Sequence, residues 1–208
     1  MAELTARVVL LAGPSGSGKT HLAELSGLPV LDLDHFYRDG DDPALPRHPT
    51  LGIVDWDDPR SWDADAALGA VEALCRTGAA SVPVYDISRD GRVGSRELSL
   101  GGACAFIGTG IFAAELVDAT RARGLLADAV VVRRSRVKNF VRRLRRDLAE
   151  RRKPPLTLVR RGLTLLRGEG RVVRRQIALG ARPCDRDETL AVLRGASSGR
   201  ATGRPTPR

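Results

Sequence analysis

Apolar residues in this chain come in short blocks separated by glycine, proline and charge. The run RVVLLA, residues 7–12, is apolar after its first position and stops at Gly13, which predicts a strand buried on both faces. A helix is expected from about Lys19 to Leu25, and PVLDL, residues 29–33, reads as a second strand. Residues 38–60 carry Asp, Pro and Gly without periodicity and predict a long loop of functional character. Trp62–Arg76 reads as a helix with Trp62, Ala66, Leu68 or Gly69, Ala73 and Leu74 near one side. Val82–Ile87 is expected as a strand, Arg92–Leu100 as a hairpin or edge segment, and Ala103–Ile107 as another buried strand. A helix over Ile111–Arg123 and a strand over Ala129–Val132 follow. This alternation predicts an α/β domain with a parallel sheet covered by helices on both faces.

Beyond Ser135 the pattern turns helical to about Arg152, with Val137, Phe140, Val141, Leu144 and Leu148 in one stripe, and Pro154-Pro155 ends it. A second helical stretch is expected to about Leu179, interrupted near Gly168–Gly170. Asp185 with Glu188 has the spacing of a capping box for a helix over Arg186–Arg194, and the small, polar tail from residue 195 is expected to be disordered. The chain therefore divides into one domain over 1–194, with a helical lid over about 135–182, and a tail.

Charge changes this picture in one place. RRLRRDLAERRK, residues 142–153, sets six arginines and a lysine against Asp147 and Glu150. Residues 133–175 hold 17 Lys/Arg and 3 Asp/Glu, a balance of +14, so the remainder carries −5 of the overall +9. Lysine occurs only at 19, 138 and 153, and an arginine bias of this kind can follow from genomic base composition, so charge alone names no partner. With 208 residues, 42% hydrophobic and 28% charged, the chain suits one soluble domain. No apolar run reaches the roughly 18–20 residues of a membrane span, and the N-terminal apolar run is too short for a signal sequence, so no membrane partner and a cytoplasmic location are expected. Cys75, Cys104 and Cys184 lack metal-ligand spacing and are expected as buried thiols. His21, His35 and His48 lack it too. Aromatics make up only 4%, without the basic–aromatic interleaving of single-strand binders, so nucleic acid is not the expected partner.

The strongest motif is GPSGSGKT: Gly13, Pro14, Ser15, Gly16, Ser17, Gly18, Lys19 and Thr20. It fits G-x-x-x-x-G-K-[ST] between a predicted strand and a predicted helix. Such a loop turns backbone N–H groups around phosphate oxygens at a helix N-terminus, with Lys19 for the terminal phosphates and the Thr20 hydroxyl for Mg²⁺. Binding of a nucleoside triphosphate, ATP with Mg²⁺, follows. Downstream, LDLDHFYRD places Asp32 and Asp34 two apart at a strand end, where they share a face if the strand persists. A carboxylate there can take a proton from an attacking hydroxyl or hold a metal-bound water.

Taken with DHFY (34–37), DWDDPRSWD (55–63), VPVYD (82–86) and the arginine-rich run, the loop resembles the uridine kinase family of P-loop kinases over roughly residues 7–155. That resemblance implies phosphoryl transfer from ATP to a hydroxyl of a small molecule, a nucleoside above all. It makes Asp34 the proton acceptor near the metal and Tyr37 a wall of the nucleoside pocket. Asp57 is implied as the partner of the ribose hydroxyls and Tyr85 as a neighbour of the base. Arg143 falls on the substrate side, and Arg146 and Arg151 approach the phosphates from the lid. A homo-oligomer is compatible with this reading.

The sequence also departs from the family. Thr109 stands where the family has a metal-holding glutamate, Asp90 where it has a base-reading histidine, Ile87 in place of a flanking aromatic, and Lys153 in place of the last lid arginine. Two of these changes fall on base recognition, which favours altered acceptor specificity, and Asp32 could supply the metal charge that Thr109 lacks. Trp56 and Trp62 are expected to pack around the substrate loop. Two alternatives stand beside the nucleoside kinase: a kinase of the same fold with another acceptor, and a nucleotide-binding protein of weak catalysis with a nucleic-acid or acidic partner.

Overall fold

The computed structural model describes residues 4–14, 16–47, 52–133 and 170–198. Strand β1 (Arg7–Ala12) forms where the apolar run predicts it and is central in a five-stranded sheet. Its neighbours are β5 (Ala105–Thr109) on one side and β6 (Leu126–Val132) on the other. Beyond β5 lies β2 (Val30–Asp32), and beyond β6 lies β7 (Arg182–Cys184), giving the order β2-β5-β1-β6-β7 with every pairing parallel.

Side chains of a strand alternate between faces, and β1 divides accordingly. Val8, Leu10 and Ala12 join one apolar core, and Val9 and Leu11 join the other. The first core is closed by α2 (Ala64–Thr77) and by residues 112–117, where a short 3-10 turn leads into α3 (Val117–Ala122). The second is closed by α1 (Lys19–Ser26) and the last helix, α4 (Arg186–Ser197), through Leu22, Ala23, Leu190 and Leu193. The expected parallel sheet with helices on both faces is therefore present.

Local chemistry explains the helix limits. Asp63 caps α2 by accepting from the Ala66 N–H, and Gly78 ends it in the left-handed region at φ 76°. The Asp185–Glu188 capping box opens α4 with both reciprocal bonds made, and α4 runs to Ser197, past the expected end at 194 and into the stretch read as tail. Residues 170–178 are helical, but Arg182, where the lid is expected to end, belongs to β7, a strand absent from the sequence reading.

The remaining strands stand apart from the main sheet. β3 (Ala79–Asp86) and β4 (Gly91–Ser99) pair only with each other, antiparallel, as the hairpin reading of 92–100 allows. This hairpin is tied down at its turn. The Gly40 N–H donates to the Asp90 carbonyl (2.6 Å), and Asp39 Oδ1 accepts from the Arg92 N–H (2.6 Å). The Arg92 guanidinium in turn reaches the Tyr37 carbonyl (3.3 Å) and Asp63 Oδ2 (3.1 Å). Asp90 holds φ 47°, a left-handed conformation that costs a non-glycine residue energy and that this tight junction imposes. Of the cysteines, Cys75 and Cys184 are buried free thiols as expected, whereas Cys104 is exposed. Among the described residues no helix is long and apolar enough to cross a membrane.

Candidate active site

The C-terminal ends of β1, β5 and β2 lie side by side, with Leu11 opposite Thr109 and Thr109 opposite Asp32. In open α/β sheets this edge is where ligands bind. The loop after β1 contributes the phosphate-binding motif. Gly16 and Gly18 take positive φ, 84° and 94°, so the chain turns back over the start of α1. Gly18 is the N-cap and offers no side chain to the helix, and no acidic residue lies in the first turn, so the α1 amides receive no side-chain cap from it. Lys19 Nζ donates to the Gly13 carbonyl (2.7 Å) and the Pro14 carbonyl (3.2 Å), holding its charge at the mouth of the loop. Ser17 is buried, and its Oγ has no hydrogen-bond partner. Thr20 is exposed at the start of α1. These residues fit a phosphate chain: uncapped amides, a local cation and an accessible hydroxyl converge there. Ser15 lies outside the described residues.

The strand carrying Asp32 and Asp34 does not persist between them. β2 ends at Asp32, whose Oδ1 accepts from the Asp34 N–H (3.0 Å) and so caps a 3-10 turn over Leu33–Phe36. The turn, not the strand, aims Asp34. Its Oδ1 accepts from the Ile111 N–H (3.0 Å), just beyond β5. Packing around it is tight: a Cβ on Gly110 would lie 2.8 Å from Asp34 Oδ1. The Asp34 pKa is raised, first by burial and next by Asp32, against lowering by Lys19 and by the Ile111 amide. Solvent still reaches the carboxylate in the open cleft, so the surrounding protein weakens its solvation without sealing it off. The influence of Lys19 brings the phosphate loop and Asp34 into one electrostatic site.

Thr109 does not face that site as a metal-binding hydroxyl. It is buried, and its Oγ1 donates to the Leu11 carbonyl (3.4 Å), back into the sheet. Asp32 stands beside it in register, with its carboxylate about half exposed. Among the described residues no group of three or more His, Cys, Asp or Glu side chains is arranged to hold a metal ion by itself. At this edge of the sheet the Asp32 and Asp34 carboxylates and the Thr20 hydroxyl are hard-oxygen donors of the kind that share Mg²⁺ with phosphate oxygens.

Opposite the loop is an aromatic cluster. Tyr37 lies 5.7 Å from Trp56, 5.8 Å from Tyr85 and 5.9 Å from Phe112 between ring centroids, and its hydroxyl donates to the Trp56 carbonyl (3.3 Å). Burial raises the Tyr37 hydroxyl pKa first, followed by the charges of Asp34 and Asp57. Tyr37 thus lies within electrostatic reach of both acids. The Tyr85 hydroxyl is pushed up to about 12, by burial and then by Asp90 and Asp39. His35 lies on the same turn as Asp34, and its Nδ1 accepts from the Tyr85 N–H (2.9 Å), pinning the hairpin to that turn.

The sequence reading of the tryptophans holds for Trp62, which is buried with its Nε1 donating to the Leu33 carbonyl (2.7 Å). Trp56 packs as well, edge-on to both tyrosines in the aromatic cluster. Ile87 is 71% exposed at the hairpin turn. Arg143, Arg146 and Arg151 lie outside the described residues.

No protein-family model matches the chain. Among curated proteins it is similar to the inorganic pyrophosphatases TTM1 and TTM2 of Arabidopsis thaliana. Identity is 32% over 113 residues (51% of this chain, 16% of the relative) and 34% over 113 residues (51% and 15%), respectively. The chain therefore spans about a sixth of the length of these relatives. Among solved structures, a protein of Silicibacter sp. TM1040 named as a fructose transport system kinase superposes with a TM-score of 0.60 at 19% identity, over 86% of this chain and 87% of that one. A protein of Bacillus stearothermophilus named as a uridine kinase gives a TM-score of 0.46 at 19% identity over 66% and 76% of the two chains. Sheet order, phosphate loop and the first of these superpositions agree: the chain has the P-loop kinase fold.

Proposed function

We propose that this protein is an ATP-dependent kinase of the uridine kinase-like type. It transfers the γ-phosphoryl group to a hydroxyl of a small organic acceptor, a nucleoside first among the candidates. The observation that carries this reading is the joint position of Asp34, which feels the charge of Lys19 on one side and acts on the Tyr37 hydroxyl on the other, with its carboxylate held by the Ile111 N–H. One carboxylate borders both the triphosphate loop and an aromatic-walled cleft. Water or pyrophosphate alone would have no use for that wall, which is why phosphoryl transfer is preferred to the phosphoanhydride hydrolysis in the names of the curated relatives.

Each residue then has a defined task. Loop amides and Lys19 hold the phosphate oxygens and neutralise charge that develops during transfer. Thr20 and Asp32 would hold Mg²⁺, which when bound screens the charge between phosphate oxygens. Asp34 accepts the proton of the acceptor hydroxyl as its oxygen attacks phosphorus. Tyr37, Trp56 and Tyr85, with Trp56 edge-on to both tyrosines, form a wall for a flat or apolar part of the acceptor, and Asp57 accepts hydrogen bonds from its hydroxyls. Arg143, Arg146 and Arg151 are assigned to the acceptor and phosphate sides through the family resemblance. Asp34 and Asp57 act on Tyr37, and Asp90 and Asp39, opposed by Arg92, act on Tyr85. Among the described residues acids therefore outnumber bases around the tyrosines, which makes an uncharged polyhydroxy acceptor the first class to test.

The deciding experiment measures ADP release with ATP and Mg²⁺ against nucleosides, neutral sugars and their phosphates. Release that depends on a neutral acceptor supports the proposal, and phosphate release from pyrophosphate without any acceptor dependence overturns it. Tyr85→Ala is expected to raise the KM for the acceptor several-fold, up to about tenfold, with the KM for ATP unchanged, as loss of one aromatic contact predicts. Initial-rate kinetics at varied acceptor concentration check this.

Asp32→Asn tests the carboxylate beside Thr109. Asparagine keeps the oxygen that caps the turn but removes the charge, so the Mg²⁺ concentration needed for half-maximal rate is expected to rise. Asp32 is also the second cause of the raised Asp34 pKa after burial, so the acid limb of the rate profile should move to lower pH in this variant. An unchanged Mg²⁺ requirement counts against a metal role for Asp32.

A further inference from the structure

Helical residues 170–178 present mostly exposed side chains, yet Gln176 is buried at 3% exposure. Its Nε2 donates to the Ile111 carbonyl (2.8 Å), 65 positions away in sequence. That carbonyl can only accept, so the amide must present its NH₂ group, which leaves Oε1 buried without a hydrogen-bond partner among the described residues. A leucine or methionine would bury the same surface without stranding a polar atom, so packing does not account for a glutamine here. Ile111 is bound on its other side as well: its N–H donates to Asp34 Oδ1 (3.0 Å). One residue is thus gripped by Gln176 through its carbonyl and grips Asp34 through its amide. The neighbouring Arg175 pairs with Glu115 (3.1 Å), so the same stretch is anchored to the segment after β5 a second time, independently of Ile111.

We propose that Gln176 is a positioning residue: its carboxamide fixes Ile111 so that the Ile111 N–H keeps the Asp34 carboxylate aimed into the cleft. Gln176 itself touches no reacting atom. Only the kinetic part of this proposal rests on the phosphoryl-transfer reading above. The structural part stands on the two hydrogen bonds.

The test uses the full chain with Gln176→Met, which keeps length and apolar bulk but removes the donor, and Arg175→Ala, which loosens the helical stretch without touching Ile111. Hydrogen–deuterium exchange of the Ile111 amide, followed by NMR, is expected to quicken in Q176M and to stay near wild type in R175A. In Q176M kcat should fall by roughly tenfold, below the ~100-fold scale of a full 1 Å misplacement, with both KM values unchanged. If Q176M does not fold, Gln176→Asn, which keeps the amide but cannot reach, takes its place with the same expected readouts. Unchanged exchange at Ile111 in a folded variant overturns the proposal, and so does an R175A variant that reproduces the effect. A fall in melting temperature with kcat and exchange unmoved overturns it too. Should the wild type show no acceptor-dependent activity while Ile111 exchange still responds to Q176M, the kinase reading falls and the coupling to Asp34 stands.

Discussion

Asp34→Asn is expected to lower acceptor-dependent ADP formation by roughly 10²–10⁴-fold, the range supplied by a positioned general base. Nucleotide affinity should be retained, because the loop from Gly13 to Thr20 is untouched. Asparagine can still accept from the Ile111 amide, so the fold around it should survive and the melting temperature should change little. Wild-type pH dependence follows from the same residue. The acceptor proton can be taken only by the carboxylate form, and burial, followed by Asp32, raises the Asp34 pKa above its ordinary value. As pH falls through that raised value the base becomes protonated, so the acid limb should lie at higher pH than for an unperturbed aspartate. Rates of D34N and wild type across pH, with nucleotide binding measured alongside, check both statements. A D34N variant at wild-type rate would remove Asp34 from the mechanism.

Gly110→Ala is the second large effect. The added methyl would stand 2.8 Å from Asp34 Oδ1 and 3.0 Å from Leu33 Cβ. Leu33 is fully buried and cannot withdraw, whereas the Asp34 carboxylate is the free end of a side chain facing the cleft. The carboxylate therefore yields and loses its bond to the Ile111 amide. A displacement approaching 1 Å costs a catalytic group about 10²-fold, so kcat should fall on that order, with only a modest loss of thermal stability. Kinetics paired with thermal melting separate this from general destabilisation. A large drop in melting temperature with unaltered kcat would mean that Leu33, not Asp34, absorbs the strain.

Much of this architecture is readable in the chain, and the reasons differ by element. β1 announces itself because both of its faces are covered, which demands an unbroken apolar run. The phosphate loop is legible because backbone turned around an anion needs glycine at fixed spacing. β7 is not legible: three residues, Arg182–Cys184, with a proline between arginine and cysteine, look like loop, and only pairing with β6 makes them a strand. Asp34 is legible as a candidate acid, but its support is not, since no periodicity shows that the strand stops at Asp32 and a 3-10 turn takes over. Gln176 is not legible because its contact depends on a partner 65 positions away, Ile111. The one local hint for Gln176 was a polar residue on the same helical stretch as Val173 and Leu179, which pack on the core.

The hairpin of β3 and β4 shares no strand pairing with the main sheet, and the clasp of Asp39, Gly40, Asp90 and Arg92 holds it in place. The hairpin is thereby joined to the body by loop and side-chain contacts rather than by a shared ladder. Its exposed positions, Ile87 and Val93 among them, can vary without disturbing the parallel sheet that carries the glycine-rich loop.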